Sequence, residues 1–530
     1  MSRACFRSYT LEEEADSEEE AGWDEAARLP FLDREKQSAG SDHPRALCNA
    51  CSRPLRRIAK VPDYSAFLMC ASAKDCQRCG DQILAGELHF MCASEDCKGL
   101  AICKECGPGV YIMRTYDYAN SITGDKEVLD VPAKVIHKRK ARQRKEAKRL
   151  ATRSICFDDG QVAAEALQVA STVAKAAEGL ATELVESSED LYDSQWEGED
   201  ILCHLLGVPC GEGPLCAQPE ACRDAANKVL QLVQGVSQIF ASQPTLNNTA
   251  APCKVFGDIH GQLRDLLLLF GTFGMPGSAE APRAVFNGDF VDRGKHQLEV
   301  VVVLFALKVA YPTQVYLNRG NHEDKHMNAK YGFEAECINS FGPEYGPAVY
   351  DAISSAFMLL PLGCVIASRI LVVHGGIGDG KWSLNELRKV ARPLTHEALQ
   401  APANRWLWNI LWSDPIEDDQ TGSSVFGVHN SPRSKTAVKF GWNVTQAFCA
   451  RNGLDLIVRS HQSKKGGLGF DVMHNESLIR VFSARDYERN ANDGAVLDIR
   501  DEGEVDGENE GVLTVRSQVL GSLSRYMDPT

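Results

Sequence analysis

The chain has 530 residues, 44% apolar and 24% charged, with 57 basic against 72 acidic side chains and a formal net charge of −15. That length leaves room for two or three domains, and that composition is ordinary for a chain with a packed core. The acidic balance weighs against nucleic acid as the main partner, because phosphate binding needs local positive potential; the longest apolar runs, such as 300–307, fall far short of the ~20 residues of a membrane span.

The N-terminus, MSRACFRSYT, has no apolar signal core and no glycine at position 2, so neither secretion nor myristoylation is expected, and the chain reads as cytoplasmic, nuclear or both. Residues 1–46 are acidic without apolar periodicity and read as a disordered tail. Residues 47–108 are cysteine-rich: Cys48/Cys51, Cys76/Cys79, Cys92/Cys97 and Cys103/Cys106 are paired by spacing, with Cys70 among them. In a reducing compartment such pairs favour zinc over disulfides, and a module this small would draw much of its folding free energy from the metal; the alternative is buried free thiols. MCASAKDC at 69–76 is echoed by MCASEDC at 91–97, as if a unit were duplicated. Residues 109–136 read as irregular. Residues 137–149 carry eight Lys/Arg against one Glu, which suits a nuclear localisation signal, a docking site for acidic partners, or the solvated face of a helix. In 161–186 the positions Ala170, Val173, Ala177, Leu180 and Leu184 recur at three and four, which predicts an amphipathic helix that packs on the next domain or pairs with another protein. With the acidic stretch that follows, 109–200 reads as a linker.

From residue 201 to 515 short apolar runs alternate with helical patterns, which predicts an α/β domain, leaving 516–530 as a tail. CKVF precedes GDIHGQ, RAVF precedes GDFVDRG, TQVYL precedes NRGNHED, RILVV precedes HGGI and LDLIV precedes RSHQ. Ligands of such sheets bind beyond the carboxyl ends of the strands, and every candidate falls there: Asp258, His260, Asp289, Asp292, Arg293, Asn321, His322, His374 and His461. A lone Asp or His after a strand is usually a turn, cap or core residue, but five such exits in one domain are hard to reach by chance. Carboxylates, imidazoles and one amide without a thiolate suit Mn, Fe or Zn at a hydrolytic site. Six of them, Asp258, His260, Asp289, Asn321, His374 and His461, suffice for two cations if one carboxylate bridges, and such a pair ionises water and clamps a phosphoryl group. Arg293 offers forked donors to phosphate. His322 follows Asn321 directly and can protonate a leaving alkoxide, with Asp292 as its orienting carboxylate.

GDIHGQ (257–262), GDFVDRG (288–294), RGNHED (319–324) and HGG (374–376), followed in order by LWSDP (411–415), RSHQ (459–462) and FSARDY (482–487), resemble the signature blocks of the PPP serine/threonine phosphatases over about three-fifths of the chain. The resemblance implies a four-layer metallophosphoesterase β-sandwich flanked by helices. It implies Asp258, His260 and bridging Asp289 on one metal, and Asp289, Asn321, His374 and His461 on the other. His322 would be the general acid paired with Asp292, Arg293 would bind phosphate, and a metal-bridging hydroxide would attack phosphorus in line. HNSPRSKTAVKFG (429–441) stands where the family's second phosphate arginine lies, and Arg433 is the candidate. The family's S-A-P-N-Y-C is SARDYE here, so Tyr487 remains as a substrate-binding candidate and Glu488 replaces the Cys. RSHQ resembles the EF-hand and plant type-7 branches, although no EF-hand loop is present and the acidic run 498–511 reads as a solvated turn or tail. The cysteine spacing resembles ZZ-type cross-braced fingers, which implies one zinc on Cys76, Cys79, Cys103 and Cys106, and a second on Cys92 and Cys97 with ligands from Cys48, Cys51, Cys70 or His89.

The expectation is therefore a protein serine/threonine phosphatase acting on phosphoproteins, with two catalytic divalent metals of the Mn/Fe/Zn class and structural zinc in an N-terminal module that binds a regulatory or targeting protein. The alternatives are a dinucleoside polyphosphate or small phosphoester hydrolase, against which LWSDP and SARDY speak, and an inactive scaffold, against which the intact ligand set speaks.

Overall fold

The computed structural model describes residues 110–113, 115–121, 123–130, 162–186, 201–277, 281–418, 425–501 and 513–527. It also gives the backbone of five short strands, Leu55–Ile58, Lys74–Asp75, Gln82–Ile83, His89–Cys92 and Ala101–Cys103. In chain order the strands that build the body are β1 (Val110–Ile112), β2 (Thr115–Ala119), β3 (Lys126–Asp130), β4 (Leu246–Thr249), β5 (Cys253–Phe256), β6 (Arg283–Phe286) and β7 (Val315–Leu317). They continue with β8 (Gly363–Ile366), β9 (Ile370–Val373), β10 (Leu456–Arg459), β11 (Phe470–Met473), β12 (Leu478–Val481), β13 (Gly494–Asp501) and β14 (Leu513–Leu520). They form two mixed sheets. One runs β7-β6-β5-β13-β14-β2-β3, with β1 also paired to β14; the other runs β11-β12-β10-β9-β8-β4.

The two sheets pack face to face because alternate residues of each strand point opposite ways. Cys253 and Val255 of β5, Ile370 and Val372 of β9, and Leu497 and Ile499 of β13 meet in the inter-sheet core. Their neighbours point outward: Phe256, Phe286 and Val496 lie under one helical layer, and Leu371, Val373 and Ile457 under another. The first layer is made by α1 (Ala164–Glu186), α2 (Ile201–Leu206), α3 (Pro219–Ser242), α4 (Leu263–Phe273), α5 (Gln297–Ala310), α6 (Lys325–Tyr331) and α7 (Phe333–Phe357). The second holds α8 (Leu384–Arg388), α9 (His396–Gln400), α10 (Arg405–Trp412) and α11 (Trp442–Asn452). A last short helix, α12 (Leu523–Met527), follows β14. The layer order is helix, sheet, sheet, helix. Among the described residues no helix is long and apolar enough to cross a membrane.

The division expected at residue 201 does not coincide with a break in packing. Strands β1 to β3 occupy the stretch read as irregular. β1 and β2 run parallel to β14, with Val110 opposite Leu513 and Gln518 opposite Asp117, and β3 pairs antiparallel with β2. β1 and β2 are held by long-range pairing to β14 and β3 by its hairpin to β2, so the distant half of this order left no local signal in the sequence. Helix α1 forms where the three-and-four spacing places it. Ala166, Ala170, Val173, Ala177 and Ala181 are buried on the main core, so it packs on the body and is not a free linker. The expected end at 515 falls inside β14, and the expected acidic tail 498–511 begins within β13. Cys203 and Cys210 are joined by a disulfide across the turn that ends α2. Cys48, Cys51, Cys70, Cys76, Cys79, Cys97 and Cys106, the tail 1–46 and the basic run 137–149 lie outside the described residues. Of the remaining zinc candidates, Cys92 ends a short strand and His89 lies opposite Cys103 in antiparallel pairing.

Candidate active site

Each strand that carries a signature block stops at the same end of the sandwich. β5 ends one residue before Gly257, β6 delivers Asn287 to Asp289, β7 delivers 318–322, β9 delivers His374 and β10 delivers Ser460 and His461. Two of these loops nearly touch. A Cβ on Gly320 would stand 2.2 Å from the Asp289 Oδ1 atom and 2.4 Å from its backbone nitrogen. Only glycine lets the backbones approach this closely. Asp289 (φ 54°), Asp292 (φ 71°), Arg293 (φ 75°), His260 (φ 46°) and His461 (φ 67°) all adopt left-handed backbone, the kind of local strain that surrounding structure must hold at functional sites.

The six expected ligands converge. Asp289 Oδ2 lies 3.6 Å from His260 Nε2 and 3.3 Å from His374 Nε2, so one carboxylate oxygen stands between two imidazoles. Asp258 Oδ2 is 3.9 Å from His260 Nε2. His374 Nε2 is also 2.9 Å from Asn321 Oδ1 and 3.2 Å from His461 Nδ1. The rings are aimed: His260 Nδ1 faces the Val291 carbonyl at 2.9 Å and His374 Nδ1 the Asn287 carbonyl at 2.8 Å, leaving each Nε2 for the cluster. The outer carboxylate oxygens accept backbone N–H bonds, Asp289 Oδ1 from His322 and Asp258 Oδ1 from His461, both at 3.0 Å. Asn321, His461 and Asp289 thus press three electron-pair donors against one imidazole nitrogen, which has at most one proton to share. A cation would satisfy all of them, so the donor set fits divalent metals, which these six residues would hold.

Charge follows this crowding. Burial raises Asp258 to about 7, helped by the neighbouring Asp289. Burial resists ionisation of Asp289 too, yet the His374 and His322 rings hold it well below the usual carboxylate range. Burial opposes charge on His374, but Asp289 carries it up to about 9, whereas burial and His322 push His260 down to about 3.

His322 Nδ1 meets Asp292 Oδ2 at 2.6 Å, with Asp292 fully buried. Burial lowers the imidazole and the Asp289 and Asp292 carboxylates more than reverse this, so His322 is raised. Burial also pushes Asp292 upward; at 2.6 Å the ionic arrangement, imidazolium on carboxylate, is the one the hydrogen bond favours. Arg293 stacks on the Tyr331 ring at 4.2 Å and pairs with Glu488 at 2.7 Å. Arg433 donates through Nε to buried Asp414 at 2.6 Å and through Nη2 to the His461 carbonyl at 3.3 Å. It therefore stands beside a ligand loop. The Tyr487 ring stacks on His260 with centroids 4.8 Å apart.

The sequence reading missed two buried carboxylates. Glu323 accepts the backbone N–H of Asp289, Phe290 and Gly320 at 2.8, 2.7 and 2.8 Å, stitching two ligand loops together. Asp414 accepts from Arg433 and, at 2.8 Å, from fully buried Arg459. A charged residue one step beyond His322 and the Asp within LWSDP were the available signals. A third carboxylate–imidazole group, Asp324, His326 and His396, has an account without an ion: Asp324 caps α6 at the His326 N–H and pairs with His396 at 3.0 Å.

Residues 251–465 match the calcineurin-like phosphoesterase family. Over 275 residues, 51% of this chain and 26% of the other, the protein is 40% identical to serine/threonine-protein phosphatase BSL2 of Arabidopsis thaliana. It is 39% identical over 274 residues to serine/threonine-protein phosphatase 5 of the same plant, covering 50% of this chain and 47% of that one. A solved serine/threonine phosphatase from Saccharomyces cerevisiae, described as similar to human phosphatase PP5, is 30% identical over 55% of this chain and 89% of its own, with a TM-score of 0.47. The chain spans about half or less of the length of these curated relatives.

Proposed function

With a calcineurin-like phosphoesterase segment at residues 251–465 as the premise, we propose that the protein is a metal-dependent protein serine/threonine phosphatase that hydrolyses phosphoserine and phosphothreonine in phosphoprotein substrates. The observation that carries this reading is the meeting of Asp258, His260, Asp289, Asn321, His374 and His461 beside the hydrogen-bonded His322–Asp292 pair. Two divalent metals on the six ligands would supply Lewis acidity toward the phosphoryl oxygens and an ionised water. Arg293 and Arg433 bind the non-bridging oxygens, fork to fork. His322 holds one proton toward Asp292 and presents the other at Nε2, where it passes to the leaving serine or threonine oxygen. Asp292 keeps the ring in that orientation and stabilises its charge. Tyr487, stacked on His260, lines the approach. The cysteine spacing at 47–108 supports a zinc-dependent module there, on Cys76, Cys79, Cys103 and Cys106 with Cys92, Cys97, Cys48 and Cys51, that receives a regulatory partner.

The test is turnover by the full chain, supplied with Mn, of a phosphoserine peptide, of diadenosine tetraphosphate and of p-nitrophenyl phosphate. The reading requires peptide hydrolysis well above that of the dinucleotide. Dinucleotide preference refutes the protein-phosphatase assignment, and inactivity on all three refutes the enzyme.

A further inference from the structure

The two arginines of the site are held in different ways. The partner of Arg433, Asp414, is 2% exposed and is shared with buried Arg459, so it fixes the guanidinium in place. The partner of Arg293, Glu488, is 46% exposed at its side chain, and Arg293 itself is 36% exposed. This second pair lies at the mouth of the site, where a carboxylate can leave.

Glu488 is nevertheless placed with care. Its backbone is left-handed (φ 48°, ψ 38°), as are those of Asp486 (φ 51°) and Arg489 (φ 63°). The run is braced from several sides. Tyr487 donates its N–H to Asn492 Oδ1 at 2.9 Å, and the Asp486 carboxylate accepts from the Leu523 N–H at 2.7 Å. Asn492 in turn donates to the Ala484 carbonyl at 2.8 Å, and the Tyr487 ring lies flat on His260. With the main chain fixed, the movement left to Glu488 is rotation about its side-chain bonds. The carboxylate can then reach Arg293 or swing into solvent beside it.

We infer that Glu488 is a specificity-determining residue: its carboxylate occupies Arg293 until a substrate phosphoryl group displaces it, and once released at the mouth it favours phosphopeptides carrying Lys or Arg next to the phosphorylated residue. The inference rests on reading Arg293 as a phosphate ligand. A phosphate that takes the guanidinium leaves a carboxylate within a few ångströms of its own negative charge. A cation on the substrate relieves that repulsion, and an acidic flank adds to it. Unit charges about 4 Å apart in water change an equilibrium by roughly five-fold. Lys330, over the Tyr331 ring at 5.2 Å, carries the opposite charge, so it is Glu488 that keeps the mouth from being cationic and from favouring acidic flanks.

The experiment compares kcat/KM of the full chain, supplied with Mn, on three phosphoserine peptides of equal length with Lys/Arg, Ala or Glu flanks, and on p-nitrophenyl phosphate, for wild type, E488Q and E488K. Wild type should prefer the basic peptide over the Ala peptide by about five-fold, mainly through KM, with the preference shrinking as salt rises. E488Q should abolish the preference and lower the Ki of inorganic phosphate about three- to five-fold, because the resident competitor has gone. E488K should reverse the order. Peptide turnover that ignores the flanks in wild type, or a basic preference that survives in E488Q, overturns the inference and leaves the phosphatase reading standing. Hydrolysis of p-nitrophenyl phosphate with no turnover of any peptide overturns the phosphatase reading and this inference with it.

Discussion

Asp292→Asn tests the proton that the reaction needs at its leaving group. The perturbation is small in shape, one oxygen exchanged for an NH2 group in a side chain that is fully buried. It removes the negative charge 2.6 Å from His322 Nδ1. A hydrogen bond between charged groups is worth ~1.5–3 kcal/mol, and the neutral amide retains only part of it. The Asp289 carboxylate still favours the imidazolium, and burial still opposes it, so the loss amounts to about 1–2 kcal/mol of imidazolium stability. The sign follows from the direction of the shift. His322 is raised above an ordinary imidazole, so its acid form is present at low pH and is lost as pH rises through its pKa; without Asp292 that loss comes earlier. The alkaline limb of kcat should move down by roughly 0.7–1.5 pH units, and at pH values above both limbs kcat should fall roughly 5- to 30-fold, with a smaller loss below them. Metal content, read by elemental analysis, should not change, since Asp292 is not one of the six ligands. A pH profile that superimposes on wild type, or a uniform drop in kcat with an unmoved limb, refutes the role given to this pair.

Asp289→Asn should cost the protein part of its bound metal and most of its activity, because this oxygen faces both imidazole clusters at 3.6 and 3.3 Å; retention of full metal content and near wild-type turnover would contradict the bridge. Asp414→Asn should lower stability by about 2–4 kcal/mol in urea unfolding, since it strips the anionic partner from fully buried Arg459; it should also raise KM through Arg433, and an unchanged midpoint would show the pair to be idle. His474 is held neutral, with Nε2 donating to the Ile416 carbonyl at 2.8 Å and Nδ1 taking the Thr445 hydroxyl at 2.7 Å, and burial lowers it to about 4. Its folded pKa lies below its unfolded one, so the unfolded chain takes the proton first. Stability is intact above pH 6.5 and declines as pH falls toward 4, by about 2 kcal/mol at pH 5. His474→Asn should flatten that part of the urea-stability profile, and an equally steep profile would refute the assignment.

The site was legible because its chemistry is carried by residue types that a core does not otherwise need, set just past apolar runs. The ligand positions of Asp258, His260, Asp289, Asn321, His374 and His461 could be read without knowing which strand pairs with which. Helix α1 was legible for a similar reason, since its spacing of small apolar residues is a local signal. What escaped was whatever depends on distant partners. Glu323 works through backbone N–H groups that carry no mark in the text. Glu488 matters because of an arginine some two hundred residues earlier. Strands β1 and β2 are ordered by β14 at the far end of the chain, with β3 following through its hairpin to β2, and nothing in 109–136 announces the distant partner.

That last pairing has a practical consequence. The eight residues of β14 are covered on both sides, by β13 and by the early strands. A catalytic fragment begun at residue 201 would strip one flank and leave a row of open amide and carbonyl groups, a template for chains to stack upon one another. A well-behaved fragment must begin before Val110. A protease cut between 131 and 161 would leave the early hairpin clasped to the body by β14, so the two pieces should still migrate together on a sizing column.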